Sequence, residues 1–215
     1  AFAGVGKTTD LDIEPEIEFY RIASGNGARQ VLFITDQSRS WLNHDQMAEQ
    51  IADCTRAMLH RTGARRLTAL GNSMGGTMAL LMARFLALDA VLAIVPQYSV
   101  DLSIMPDEPS WKKLRRQIGS FRFAAVDHVP EQGHYFVLHG THDTETLHAM
   151  RFPVAANLHH FIFNGADHNL GIDLKAKGYA QALVDHALAG QVDAFSAVAL
   201  ASGGVHRADF TGVSA

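Results

Sequence analysis

Short apolar runs alternate along this chain with segments whose apolar residues recur at helical spacing. Runs at 30–36, 66–70, 89–95, 134–140 and 158–163 are bounded by turn residues and predict buried strands. Apolar side chains three and four apart predict helices at 45–61, 77–88, 111–118, 172–177, 179–188 and 192–201. Strands that alternate with helices are typical of the α/β class. We therefore expect a mostly parallel sheet of about six strands, flanked by helices.

Length and composition predict a single domain. The chain has 215 residues, of which 47% are hydrophobic, enough for one core. Residues 203–215 lack periodicity, and we expect them to form a flexible tail. The longest apolar stretches are broken by charges, so no membrane span is expected. Cys54 is the single cysteine, placed on the apolar side of the 45–61 helix, and it favours a reducing, cytoplasmic location.

Charge excludes some partner classes. A formal net charge of −4 with no long basic run argues against nucleic acid as a partner. The short basic cluster at 112–116 is interpreted as a solvated helix face. Neighbouring His159 and His160 lie in a strand and face opposite sides, so the twelve histidines do not indicate a metal site. We expect neither metal nor cofactor, and the oligomeric state stays open.

The most informative motif follows the 66–70 strand. Residues 71–75 read Gly-Asn-Ser-Met-Gly and lead into a helical run, so Ser73 stands at the apex of a strand–turn–helix. A nucleophilic serine needs small flanking residues at such a turn, and the following helix directs its free N–H groups toward the site. Ser73 is therefore a candidate nucleophile.

An acid and a histidine follow Ser73 in the order that a catalytic triad requires. Asp143 comes three residues after Gly140, where the 134–140 strand ends, and His168 lies in the loop after the 158–163 strand. Asp101 and Asp167 are competing acids. Asp143 is preferred because of the glycine-turn-aspartate phrase.

Together these motifs resemble the α/β-hydrolase superfamily over about residues 31–188. The resemblance implies a compact serine hydrolase with a small lid that cleaves an ester, thioester or amide of a small-molecule acyl substrate. It further implies that Ser73 attacks, that His168 carries the proton and that Asp143 orients the histidine. It also implies an oxyanion hole made by the backbone N–H of Met74 and one from the early loop, at Gly4 or Val5.

The substrate pocket is expected beside the triad. The 89–95 strand ends at the same sheet edge as the triad if the strands are parallel, which makes Gln97 and Tyr98 pocket candidates. His142, next to Asp143, is a third candidate. The short segment between Asp101 and His134 leaves room for only a small lid, and an open site is expected.

Two other interpretations compete with a hydrolase. Residues 1–8 resemble a phosphate-binding P-loop with alanine in place of its first glycine, but the acidic residues 9–20 that follow would repel phosphate. The stronger alternative is a catalytically silent module of the same fold that binds a protein or glycan. A complete triad favours the enzyme.

Overall fold

A five-stranded sheet forms the centre of the structure, a computed structural model that describes residues 1–211. The strands lie in the order β1-β2-β3-β4-β5; the first four pair in parallel, and β5 runs antiparallel to β4. Their bounds are Thr68–Asn72 (β1), Ala90–Ile94 (β2), His134–Gly140 (β3), Leu158–Phe163 (β4) and Gly204–His206 (β5). The predicted α/β class is confirmed, with five strands in place of about six.

Helices cover both faces of the sheet. Ile51 and Met78 belong to one apolar cluster, and Leu183 and Phe195 to a second, so the sheet lies between two cores. Every residue of β2 is buried, as expected for a central parallel strand. The helices are Tyr20–Ser24 (α1), Met47–Thr62 (α2), Met74–Met82 (α3), Lys112–Gln117 (α4), Glu145–Ala149 (α5), Leu170–Ala176 (α6), Ala180–Ala189 (α7) and Val192–Ala201 (α8). Among residues 1–211, no helix is both long and apolar enough to cross a membrane.

The start of the chain runs beside β1. Phe2 bridges Gly71 on one side and Ile34 on the other, both in parallel. The predicted strand at 30–36 is therefore present only as an isolated bridge and is not one of the five strands. This placement brings the loop after Phe2 to the carboxyl edge of β1.

The predicted flexible tail is wrong for its first part. Gly204–His206 forms β5 against β4, and the Arg207 guanidinium then donates to the carbonyls of Phe152 and Met150. A Cβ on Gly204 would lie 2.9 Å from the Phe163 ring, so a glycine is what allows this close approach. Residues 212–215 lie outside the described part of the chain.

Two side chains differ from the sequence prediction in their exposure: Cys54, predicted on the apolar side of its helix, is exposed, and Arg115, predicted on a solvated face, is buried. Helix α2 turns Ala48, Ile51, Ala52 and Thr55 inward, which leaves Cys54 exposed. Arg115, in the basic cluster, is 1% exposed and donates to the carbonyls of Val100, Met105 and Glu108 at 2.7–2.8 Å. It holds together the segment between β2 and α4.

Candidate active site

Ser73 occupies a strained turn between β1 and α3. Its backbone angles, φ 53° and ψ −125°, lie in a region that non-glycine residues rarely adopt. The turn is tight: a Cβ on Gly71 would lie 2.1 Å from the Gly75 carbonyl oxygen, and one on Gly75 would lie 2.3 Å from that of Phe2. The two flanking glycines are therefore required by close backbone approach, as the motif predicts.

A hydrogen-bonded chain runs from Ser73 to a buried carboxylate. Nε2 of His168 lies 2.8 Å from the Ser73 hydroxyl, and Nδ1 of His168 lies 2.7 Å from Oε1 of Glu145. An ionised carboxylate only accepts, so Nδ1–H donates to Glu145 and Nε2 is left to accept the serine proton. The Glu145 side chain is 6% exposed, whereas that of His168 is 38% exposed. This is the arrangement of a nucleophile, a base and an orienting acid.

The carboxylate that contacts His168 is that of Glu145, not that of the predicted Asp143. The Asp143 side chain is 72% exposed and pairs with His142 at 3.0 Å. Its φ of 52° belongs to the turn that starts α5, and Glu145, two residues later, opens that helix and faces His168. The length of the loop after β3 therefore brings the second acid, Glu145, into contact with His168. The glycine-turn-acid phrase identified the correct loop, and the sequence signal for Glu145 was its place at the start of the following helix.

The two competing aspartates serve as local caps. Oδ1 of Asp101 accepts hydrogen bonds from the backbone and hydroxyl of Ser103, and Oδ1 of Asp167 accepts from the backbone of Asn169. Both roles fix loops. Asp167 keeps the loop around His168 in place without bonding to its ring.

Gln97, a predicted pocket residue, reaches Ser73 directly. The indole N–H of Trp41 donates to Oε1 of Gln97 at 2.8 Å, and indole is a donor only, so this contact fixes the orientation of the amide. Nε2 of Gln97 then donates to the Ser73 hydroxyl at 3.1 Å. The hydroxyl can accept from Gln97 and donate to His168 at the same time. Both Trp41 and Gln97 are buried, so the hydroxyl is held in one direction.

The other two predicted pocket residues face elsewhere. The Tyr98 ring packs edge-on against Phe152, with 5.9 Å between ring centroids, and its backbone N–H donates to His148. His142 is exposed and bonded to Asp143. Neither residue lines the cavity beside His168. The Tyr98 ring packs against Phe152, whereas the amide of its neighbour Gln97 faces Ser73.

Two of the three predicted oxyanion donors, Met74 and Gly4, lie beside Ser73. Met74 begins α3, and among residues 1–211 no group accepts its backbone N–H. A Cβ on Gly4 would lie 3.7 Å from Cβ of Ser73, so the early loop does touch the turn. Val5 is buried, and its carbonyl accepts from Arg39. The carboxylate of Glu18 lies against Gly4, with Oε1 3.2 Å from the point that a Cβ on Gly4 would occupy, a contact that the sequence did not suggest.

A cavity of about 180 Å³ opens beside His168. One wall comes from the segment before α4, with Glu108, Ser110 and Trp111, and another from α5. The carboxylate of Glu108 accepts from Nε2 of His148 at 2.9 Å, and both side chains are almost fully buried. This pair ties the segment before α4 to the helix that carries Glu145. A larger cavity, about 610 Å³, lies away from the site and is lined by Arg29, Ile51 and Leu188, among other residues.

The P-loop interpretation finds no support in the fold. The chain continues after Lys7 without a helix until α1 begins at Tyr20. The Lys7 ammonium is exposed and pairs with Glu16 at 2.8 Å. A phosphate cradle at a helix N-terminus is therefore not formed there. Within the described residues, no group of three histidine, cysteine or acidic side chains is arranged to hold a metal.

Comparison with known proteins finds distant structural likeness. No protein-family model matches the chain, and no curated protein does. One similar structure is a predicted CIB-like hydrolase from Thermoplasma acidophilum, at 18% identity and a TM-score of 0.37, covering 67% of this chain and 61% of that one. Another is a puromycin hydrolase, at 18% identity and a TM-score of 0.45, covering 64% of this chain and 25% of that one.

At these low values the two likenesses support no conclusion about this chain. The resemblance to α/β hydrolases rests on the chain's own features, its mostly parallel sheet and the strand–turn–helix at Ser73.

Proposed function

We propose that this protein is a serine hydrolase that cleaves an ester, thioester or amide through an acyl-enzyme on Ser73. The observation that carries the proposal is the continuous chain of hydrogen bonds from Ser73 through His168 to Glu145, at 2.8 and 2.7 Å. Glu145 takes the role that the sequence interpretation gave to Asp143. A carboxylate that is 6% exposed suits this role, because water competes little for its bond to the histidine.

The first half-reaction forms the acyl-enzyme. Nε2 of His168 accepts the Ser73 proton while Oγ bonds to the acyl carbon, and Glu145 stabilises the imidazolium that results. The developing oxyanion is placed at the Met74 N–H, with Gly4 or Val5 as the second donor. His168 then gives its proton to the leaving oxygen, sulfur or nitrogen as the bond to the acyl carbon breaks.

The second half-reaction uses water in place of the leaving group. His168 accepts a proton from the water as its oxygen bonds to the acyl carbon, and it returns that proton to Oγ of Ser73 as the acid leaves. The exposed side of His168 leaves room for this water. Gln97 holds the Ser73 hydroxyl toward His168 in the resting enzyme.

The cavity limits the substrate. Its volume of about 180 Å³ is below the roughly 300–1,000 Å³ of pockets that enclose drug-sized ligands. The walls combine Trp111 with polar groups such as Ser110 and Thr144. We therefore propose a short acyl group as the preferred substrate, with the leaving group toward solvent.

Covalent labelling with a fluorophosphonate probe tests the proposal. We expect stoichiometric labelling of the native protein, loss of labelling in Ser73→Ala, and strong slowing in His168→Ala and Glu145→Gln. Ser103→Ala is the matched control, because this serine is exposed, bonds to Asp101 and lies outside the cavity lining, and it should label normally. Absence of labelling in a folded native protein would instead support the silent binding module.

A further inference from the structure

The carboxylate of Glu18 lies at the proposed oxyanion hole. Oε1 of Glu18 is 3.2 Å from the point that a Cβ on Gly4 would occupy, and Cβ of Ser73 is 3.7 Å from the same point. The backbone N–H of Gly4 faces this carboxylate and lowers its pKa. A negatively charged side chain therefore lies against one of the groups proposed to bind the negative charge of the reaction.

Few charges offset that carboxylate. Burial raises the pKa of Glu18, the Gly4 N–H lowers it, nearby Glu16 raises it and His168 lowers it. Among residues 1–211, no lysine or arginine forms an ion pair with Glu18; Lys7, the cation of this segment, bonds to Glu16. Around Glu18 the structure therefore places a histidine, a second acid and a backbone donor.

One N–H cannot serve a carboxylate and a reaction oxyanion fully at the same time. Two like charges a few ångströms apart repel each other, and more strongly at a partly buried site than in water. The ionised carboxylate thus both occupies a donor and opposes the charge that forms on the substrate. The neutral acid lacks the second of these effects and binds the N–H more weakly.

Resting on the function proposed above, we propose that Glu18 competes with the substrate for the oxyanion hole and restrains acylation of Ser73 while it is ionised. Turnover requires Glu18 to release the Gly4 N–H, either by taking up a proton or by moving to a donor on the substrate. Glu18 is accordingly a rate-setting residue of the proposed reaction.

Substitution of Glu18 separates this role from a structural one. Glu18→Gln keeps the size and removes the charge, and Glu18→Ala frees the N–H completely. Loss of a single oxyanion donor in a serine hydrolase costs about 10²–10³ in rate. We therefore expect the rate constant of fluorophosphonate labelling at pH 7.5 to rise about tenfold or more in Glu18→Ala, and by less in Glu18→Gln.

Glu16→Gln is the control, because it removes an equal charge from the same segment two residues away. It should change the labelling rate less than Glu18→Gln does. The ratio of the Glu18→Ala labelling rate to the native labelling rate is a second readout, in which pH effects common to both proteins cancel. It should shrink toward one as the pH is lowered, because Glu18 protonates in the native protein.

The outcomes distinguish the two proposals. Slower or unchanged labelling in both Glu18 variants, still lost with Ser73→Ala, would overturn the competition and leave the hydrolase intact. A ratio that does not change with pH would do the same. No labelling in the native protein or in either variant, with folding verified by circular dichroism, would remove the proposed function and this inference with it.

Discussion

Helix α5 contributes one residue to each of two glutamate–histidine pairs, and the two pairs differ in what the histidine contacts. Its first residue, Glu145, accepts from His168, whose other nitrogen faces the Ser73 hydroxyl. Three residues on, His148 donates to Glu108 through Nε2, while its Nδ1 accepts the backbone N–H of Tyr98. The two pairs have similar lengths, 2.7 and 2.9 Å. In one a ring nitrogen is left for chemistry, and in the other both nitrogens are occupied by the fold.

Exposure separates the two pairs further. The His168 side chain is 38% exposed, whereas that of His148 is 4% exposed. Burial raises the pKa of Glu108, but hydrogen bonds from His148 and Ser110 outweigh it and bring the pKa to about 2. A glutamate beside a histidine is therefore not a sign of catalysis by itself. What distinguishes His168 is that its second ring nitrogen faces a candidate nucleophile, the Ser73 hydroxyl.

The largest expected effect comes from the catalytic side of the comparison. Glu145→Gln should lower the labelling rate and any esterase kcat roughly 10³–10⁴-fold, because a neutral amide neither stabilises the imidazolium nor fixes its tautomer. Asp143→Asn should change either rate less than about threefold, since this carboxylate is exposed and bonded to His142. Labelling kinetics of both variants give the answer. Equal losses, or a larger loss in Asp143→Asn, would contradict the assignment of the acid.

The structural pair should affect stability more than chemistry. Glu108→Ala leaves the buried His148 without its acceptor and removes the contact to the Ser110 backbone, so we expect a loss of about 3 kcal/mol. That loss corresponds to a Tm decrease of roughly 6–12 °C for a chain of this size. Asp107→Ala, at the exposed neighbouring position, is the control for thermal denaturation. An unchanged Tm in Glu108→Ala would show that the pair does not anchor this segment.

Two buried histidine rings, His139 and His160, extend the comparison to the pH dependence of stability. His139 donates to the Pro96 carbonyl at 2.8 Å and accepts from His160 at 2.9 Å, while Nδ1 of His160 has no partner among the described residues. Burial lowers the pKa of His139 from 6.5 to about 3, and burial also lowers the pKa of His160 well below 6.5.

Because both folded-state pKa values are depressed, the unfolded chain binds the protons. Stability should therefore be greatest above about pH 6.5 and fall as the pH drops from there toward 3. Each histidine contributes up to about 1.4 kcal/mol per pH unit. Urea denaturation midpoints between pH 7.5 and 5.5 measure the fall. His160→Gln should make the urea midpoint depend less steeply on pH, and the exposed His128→Gln should not. Equal slopes in the native protein and both variants would show that the buried histidines do not cause the fall in stability.

Local signals in the sequence identified most of the site. The glycines around Ser73 are needed because backbone atoms of β1, α3 and the Phe2 segment meet within van der Waals distance, and such a constraint is visible in residue type. Strand ends and their order located the loops that hold Gln97 and His168. Gly4 was placed by its loop, and the structure does bring it beside Ser73.

Side-chain direction was decided by the tertiary structure. Asp143 and Glu145 are two residues apart, one just before α5 and one at its start, and they are chemically alike. Only the geometry of the turn into α5 determines which of them meets His168. The same holds for Tyr98, which lies next to Gln97 and faces the core, and for Cys54, which the winding of α2 leaves exposed.

The sequence by itself therefore determined the α/β class, the sharp turn at Ser73 and the loop that carries His168. These depend on local constraints: hydrophobic period, chain order and the need for glycine where backbones touch. Tertiary structure alone decided that Glu145 is the acid beside His168, that Glu18 lies against Gly4 and that residues 204–206 form a strand. Each of these contacts joins residues far apart in the chain or depends on the angle of a turn, and residue spacing does not record either.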